Sequence, residues 1–302
     1  MGPLITNIKF NPTFRSLCTC ATRAFSTNVM LNPKDDAKEV TLKYLDGKDN
    51  GIVVLGLNRP AARNALGKNL VNQLSDAISC IKEDTKLRVL IVRSLVPKIF
   101  CAGADLRERL KMDNSEVSNF VSSLRDITNT IESLPTPVIS AIDGIAVGGG
   151  LELALATDIR VAAAEAQMGL VETKLAIIPG AGGTQRLPRI VGPAKAKELI
   201  YTSRILDGED AMEIGLVNQV VPQNKEGDAA YQVALSIARE ILPNGPLGVK
   251  VAKVAISKGL EVSIVDGLEI ERQCYNKIVD TKDRIEGLTA FVTKRVPVYQ
   301  GI

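Results

Sequence analysis

Residues 138–161, VISAIDGIAVGGGLELALATDIRV, decide how the rest of the chain is read. Val138, Ile139, Ser140, Ala141 and Ile142 follow Pro135 and Pro137, the pattern of a buried strand entered from a loop. Gly148, Gly149 and Gly150 then make a turn, an apolar helix follows, and residues 159–162 form a further strand. Without Cβ atoms the glycines let backbone N–H groups approach a ligand, and the helix N-terminus adds a partial positive charge. A negative oxygen is stabilised at such a place. Glu152 stands in the first turn of a helix whose other residues (Leu151, Leu153, Ala154, Leu155, Ala156) are apolar. A first-turn acid also complements the helix dipole, so this carboxylate alone does not establish chemistry. Nor does the glycine triplet, which matches neither a dinucleotide fingerprint nor a phosphate loop.

Outward from this stretch the chain alternates strands and helices. Residues 40–45 and 52–57 flank the turn-forming run Asp46, Gly47, Lys48, Asp49, Asn50, Gly51 and predict a β-hairpin. Leu66, Leu70, Leu74, Ala77, Ile78 and Ile81 recur at helical spacing, and residues 88–92 (RVLIV) predict the strand after it. Val117, Phe120, Leu124, Ile127, Ile131 and Leu134 line a longer helix that ends before Pro135. Residues 216–221 predict a late strand, so the body is α/β with an extended sheet. Beyond Pro222 the pattern changes to four helices, near 228–241, 247–258, 264–278 and 282–292, which could cover the sheet or pack on another subunit.

Composition narrows the chemistry. With 302 residues, 45% hydrophobic and 24% charged, the chain can bury a sizeable core, and no apolar run reaches the roughly 18 residues of a membrane span. There is no histidine, which removes the commonest general base, the Ser-His and Cys-His nucleophile pairs and every His-containing metal site. Acid–base work falls to carboxylates, Lys, Tyr or Cys. The five cysteines form no C-x-x-C pair and no disulfide framework, and Cys101 reads as a small buried hydrophobe. Residues 1–34 hold no acid, four basic residues and many hydroxyls, the composition of a transit peptide, with cleavage expected near Phe25. Removing residues 1–25 takes away three basic residues and no acid, so the formal net charge of +3 falls to zero, which argues against broad electrostatic binding of nucleic acid.

Three stretches carry the unusual residues: Ile99 to Leu106 (IFCAGADL), the glycine helix, and Met168 to Glu172 (MGLVE) followed by Pro179 to Arg186 (PGAGGTQR). Together with Asn58-Arg59-Pro60 and Asn64-Ala65-Leu66, and in this order, they resemble the crotonase superfamily of enoyl-CoA hydratases and isomerases from about Val40 onward. The resemblance is to mitochondrial hydratases in particular, a group in which one type also binds AU-rich RNA. It implies a spiral of repeated ββα units, a helical C-terminal trimerisation region and a homo-oligomer, trimer or hexamer, in the mitochondrial matrix. The implied organisation is a leader over 1–25, a linker over 26–39, a core over 40–221 and the oligomerisation region over 222–302.

The resemblance also implies an acyl-CoA substrate, with no metal and no cofactor beyond the coenzyme A that the substrate carries. By motif position, the N–H groups of Ala102 and Gly149 would form an oxyanion hole, and Ala102, Gly103, Ala104, Asp105, Gly149 and Gly180 would contact substrate. Asp105 also reads as the N-cap of the helix after it. Glu152 and Glu172 occupy the two positions of the family's catalytic acids, whereas isomerases typically keep only the second. The resemblance assigns water activation to Glu152 and delivery of a proton to Cα to Glu172, although a coupled pair titrates as a unit. Straight-chain enoyl and 3-methylglutaconyl groups both stay open as the acyl part. Arg63, Lys294 and Arg295 are candidates for the coenzyme A phosphates. The lysine comb of the RNA-binding type is reduced here to Lys68, with Asn72 and Asp76 at the next two teeth, so specific RNA binding is not expected. The alternatives are a double-bond isomerase of the same fold and an RNA-binding protein that has kept it.

Overall fold

The computed structural model describes residues 38–302; the expected leader and most of the expected linker lie outside the described residues. The chain opens with the hairpin β1 (Val40–Tyr44) and β2 (Ile52–Leu57), followed by α1 (Lys68–Lys82). Three related units come next. The first is β3 (Val89–Ser94), β4 (Ile99–Cys101) and the helices α2 (Leu106–Arg109) and α3 (Asn114–Ser133). The second is β5 (Val138–Ile142), β6 (Ile145–Val147) and α4 (Gly149–Leu155), and the third is β7 (Ile159–Ala163), β8 (Met168–Gly169) and α5 (Gly183–Val191). Then follow α6 (Pro193–Thr202), α7 (Gly208–Glu213), β9 (Gln219–Val221), α8 (Ala229–Ile241), α9 (Pro246–Gly259), α10 (Ile264–Val279) and α11 (Lys282–Val292).

Each unit contributes one strand to each of two sheets. The larger sheet has the order β1-β2-β3-β5-β7-β9, antiparallel at β1/β2 and parallel beyond, and the smaller has the order β4-β6-β8, all parallel. The sequence pattern alone did not reveal β4, β6 and β8, which are only two or three residues long and pair entirely with distant segments. The late strand is shorter than predicted: Leu216 and Val217 are buried in the turn before β9 rather than paired in it.

Alternation along the strands assigns the two faces of the large sheet. Val53, Leu55, Leu57, Leu90 and Val92 face the main core with α1, α3 and α4, while Ile52, Val54, Val89, Ile91, Ile139 and Val161 face α8. Both faces are therefore dry, and each such Val, Leu or Ile is worth ~1.5–3 kcal/mol of burial. α8 is held in place by Asp143, just after β5, whose carboxylate accepts from Ala230 N at 2.7 Å and Tyr231 N at 3.2 Å. Residues 222–302 are helical, but they do not act as one region: α8 completes the core, while α9 to α11 expose apolar side chains such as Ile264 (77%), Leu268 (56%) and Phe291 (85%). Among the described residues no helix is long and apolar enough to cross a membrane.

Candidate active site

The ends of β4 and β6 bring two small-residue loops together. A Cβ on Gly103 would lie 2.9 Å from Val147 O and 3.5 Å from Gly149 N, and one on Gly150 would lie 2.3 Å from Cys101 O. Only glycine permits this backbone-to-backbone approach, and Gly103 (φ +83°) and Gly148 (φ +54°) also adopt left-handed conformations that turn the chain there.

Each amide of residues 102–105 can be traced. Ala102 N–H donates to Arg63 O at 3.2 Å, Gly103 N–H donates to the sulfur of Cys101, and Asp105 N–H donates to Leu66 O at 3.0 Å. Among the described residues the Ala104 N–H has no acceptor, and neither does the Gly149 N–H in the first turn of α4. A Cβ on Gly149 would lie 3.9 Å from Ala104 N, so these two amides are neighbours. Of the amides expected for an oxyanion hole, Gly149 is open, while the Ala102 amide is taken and its open neighbour is Ala104. Motif position could not separate the two alanines, because the distinction rests on Arg63, about forty residues upstream, taking up the Ala102 donor.

Arg59 and Asn64 hold this loop from outside. The Arg59 guanidinium reaches Ala65 O at 2.7 Å, Asp105 Oδ2 at 2.8 Å, Glu108 Oε1 at 3.0 Å and Glu39 Oε1 at 3.0 Å. Buried Asn64 donates to Ser94 Oγ at 2.8 Å and Phe100 O at 3.0 Å and accepts from Arg59 N at 2.7 Å. Both stand in the motifs Asn58-Arg59-Pro60 and Asn64-Ala65-Leu66, which by themselves show no role for either. Their partners are remote in the chain, so the signal was limited to an Asn suited to its positive φ of 54°. Asp105 caps α2 as expected, accepting from Arg107 N at 3.0 Å and Glu108 N at 3.2 Å. With Arg59 also bound at 2.8 Å, its carboxylate is committed to the scaffold. Cys101 is fully buried and donates to Asn64 O at 3.0 Å, and burial pushes its thiol up to about 12, so it is no nucleophile.

Glu152 is 3% exposed, and its Oε1 accepts from Ala181 N at 2.8 Å and Gly183 N at 2.7 Å. The P-G-A-G-G segment therefore positions a carboxylate. A Cβ on Gly183 would lie 2.9 Å from that oxygen, which explains the glycine there. Burial raises the Glu152 pKa, against the pull of those two amides and of Arg186 and Arg125. Glu172 opens the short 3₁₀ turn Glu172–Leu175; its Oε1 lies 3.3 Å from where a Cβ on Gly148 would be, and its buried Oε2 has no partner among the described residues. Burial, and then the charge of Glu152, push the Glu172 carboxyl up to about 7. Two carboxylates twenty residues apart in sequence thus share one buried place beside two free amides.

A cleft of about 1330 Å³ opens beyond Glu152, walled by Val121, Ile177, Ile178, Pro179 and Gly180 and by several arginines. Gly182 of that wall lies between Ala181 and Gly183, the two residues whose amides hold Glu152. Gly180 lines the cleft, with its carbonyl accepting from Arg125 Nε at 3.2 Å and Nη2 at 3.0 Å. Of the phosphate candidates, Arg295 is paired with Glu286 through both oxygens, while Arg63 and Lys294 are exposed.

Residues 47–301 match the family enoyl-CoA hydratase/isomerase. The chain belongs to this family. Among enoyl-CoA hydratase/isomerase members it is 59% identical over 263 residues to a protein of Mus musculus named methylglutaconyl-CoA hydratase, mitochondrial, covering 87% of this chain and 84% of the relative. It is 49% identical over 262 residues to the probable enoyl-CoA hydratase 2, mitochondrial, of Arabidopsis thaliana, covering 87% of this chain and 86% of that one. The crystal structure of an enoyl-CoA hydratase from Bacillus anthracis superposes with a TM-score of 0.83 at 46% identity, covering 87% of this chain and all of the other. The crotonase-type spiral of ββα units expected from the motifs is the fold of this protein.

Proposed function

We propose that this protein adds water across the double bond of a 2-enoyl-CoA thioester to give the 3-hydroxyacyl-CoA. The observation that carries this reading is the juxtaposition of two amides without acceptors among the described residues, Ala104 and Gly149, with the buried pair Glu152 and Glu172. The thioester oxygen accepts from both amides, which draws electron density away from Cβ; one such donor is commonly worth ~3–4 kcal/mol in the transition state. Water then attacks Cβ. Its oxygen forms the new C–O bond, its proton passes to Glu152, the π electrons move toward Cα, and Glu172 supplies the proton that Cα gains. With its carboxyl near 7, Glu172 keeps a proton in a large share of molecules at neutral pH, as a donor must. Glu152, with amides on Oε1, keeps Oε2 to receive one. Proton exchange with solvent resets the pair.

Coenzyme A enters as part of the substrate, and the mechanism uses no metal and no separate cofactor. The mitochondrial names of the relatives, with the acid-free residues 1–34, support import into the matrix and a role in fatty-acid or leucine breakdown. The apolar side chains exposed on α9 to α11 support a homo-oligomer, trimer or hexamer, built through those helices. Specific RNA binding is not part of the reading: Lys68 is paired with Glu116 at 3.0 Å, and Asn72 and Asp76 continue the exposed face of α1.

The test is hydration of crotonyl-CoA and of 3-methylglutaconyl-CoA by purified protein, followed as loss of the conjugated thioester. Glu152→Gln and Glu172→Gln each lower kcat/KM by ~10²–10⁴. Turnover of either variant within about tenfold of the parent, or migration of the double bond without uptake of water, would overturn the reading.

A further inference from the structure

We propose that Arg109, together with Arg125, forms a cationic subsite in the cleft for a carboxylate at the far end of the acyl group. The proposal rests on the hydratase reading and names the class of acyl group, a mono-thioester of an unsaturated dicarboxylic acid. Five arginines line the cleft, and three are committed. Arg186 is bound by Glu132, Asn129 and Ala181 O, Arg160 by Leu216 O and Thr157 O, and Arg189 by Glu261 and Gln185. Arg109 is half-buried at the end of α2, and its guanidinium has no hydrogen bond or ion pair among the described residues. Arg125 is steadied by Gly180 O through Nε and Nη2, which leaves Nη1 without an acceptor among the described residues.

The placement of the two cations matters more than their number. Arg125 holds the Gly180 carbonyl, one residue from the Ala181 amide that holds Glu152, while Arg109 lines the same cleft and its charge reaches Glu172. Arg125 stands one turn of α3 from Val121, and a Cβ on Gly180 would meet Val121 Cγ1 at 2.8 Å, so this part of the wall is continuous with the segment that holds Glu152. In the proposed pose the acyl chain, its thioester oxygen on Ala104 and Gly149, passes Glu152 and Glu172 and lies against this wall. A further carboxylate brought past two acids is repelled unless cations receive it. An unsubstituted alkyl chain needs none, and half-burying an unpaired guanidinium on its account would be a cost without return.

The experiment compares crotonyl-CoA with glutaconyl-CoA, the same thioester carrying a carboxylate on its terminal carbon, in the full oligomeric enzyme. The readout is the ratio of the two kcat/KM values, in which effects on coenzyme A binding or on Glu172 cancel. In Arg109→Gln the ratio of glutaconyl to crotonyl falls about tenfold to a hundredfold, Arg125→Gln lowers it less, and Arg109→Lys restores most of it. On the unaltered enzyme, glutaryl-CoA competes more tightly than butyryl-CoA, an arm that needs no variant to fold. An unchanged ratio in Arg109→Gln, or equal losses on both substrates as expected of a phosphate-binding cation, overturns the subsite. Hydration of crotonyl-CoA with no turnover of glutaconyl-CoA overturns the subsite and leaves the hydratase standing; turnover of neither overturns both.

Discussion

Glu172 is held where its charged form is disfavoured, and this has a consequence for stability. Its folded pKa of about 7 lies above the ordinary 4.5, so the folded state binds more protons than the unfolded state between those values. Stability therefore falls as pH rises from about 4.5 to about 7, and above that the cost is fully present, about 3 kcal/mol for a shift of this size. Glu172→Gln is expected to be more stable than the parent at pH 8 by up to that amount, with the gap closing toward pH 4, while hydration is lost. Denaturant unfolding at both pH values checks this, and equal stability at pH 8 would contradict it. Gly150 supplies an opposite case. Alanine there gains about 1 kcal/mol of helix propensity, but its Cβ would lie 2.3 Å from Cys101 O, a backbone atom that cannot swing aside. Overpacking of this kind costs ~1–3 kcal/mol. Gly150→Ala should lower Tm despite its better propensity, and an unchanged or higher Tm would show that α4 can shift at no cost.

At the scale of elements, the site depends on how the loop after β2 is tied to α2. Arg59 joins Glu39, the Ala65 carbonyl, Asp105 and Glu108, all with little exposure except Glu108. The Asp105 pKa is lowered despite burial, whereas Glu39 is raised because burial outweighs the pull of Arg59, and its Oε2 has no partner. Removing the cation strands both acids. Arg59→Met should destabilise the protein by ~3–5 kcal/mol and lower kcat/KM even where folding is complete, since Asp105 and Leu66 frame the Ala104 amide. Stability within about 1 kcal/mol of the parent would mean that the network is solvated rather than structural. The longer helices were legible because their apolar residues repeat at helical spacing: α3 runs Asn114–Ser133 as Val117 to Leu134 predicted. β4, β6 and β8 were not, since two or three residues carry no period and their pairing partners lie elsewhere in the chain.

For the molecule as a whole, α8 and the last three helices have different roles. α8 buries Ala230, Ala234, Leu235 and Ala238 against the large sheet. α9 is tethered by Lys253, which reaches Asp158 at 2.7 Å and Thr136 O at 3.2 Å, while its neighbours α10 and α11 carry Ile264, Leu268, Phe291 and Val292 into solvent in the single chain. In the proposed homo-oligomer these helices form the interface that covers this apolar surface. Leu268→Asp combined with Phe291→Asp should shift the sedimentation coefficient of the purified protein to that of a single chain. An unchanged coefficient would remove α10 and α11 from the interface.

What the sequence by itself determined was what local rules can carry. The α/β pattern, the family, the cap at Asp105, the buried Cys101 and the two acids follow from periodicity, turn chemistry and motif residues. Tertiary structure alone decided which alanine presents a free amide, what the P-G-A-G-G segment holds, and which arginines of the cleft are left without partners. Each of these depends on which groups compete for one donor or acceptor, and the competitors come from segments remote in sequence. Arg63 removes the Ala102 amide, Ala181 and Gly183 take one oxygen of Glu152, and Glu132 and Asn129 occupy Arg186, while Arg109 is left facing the cleft.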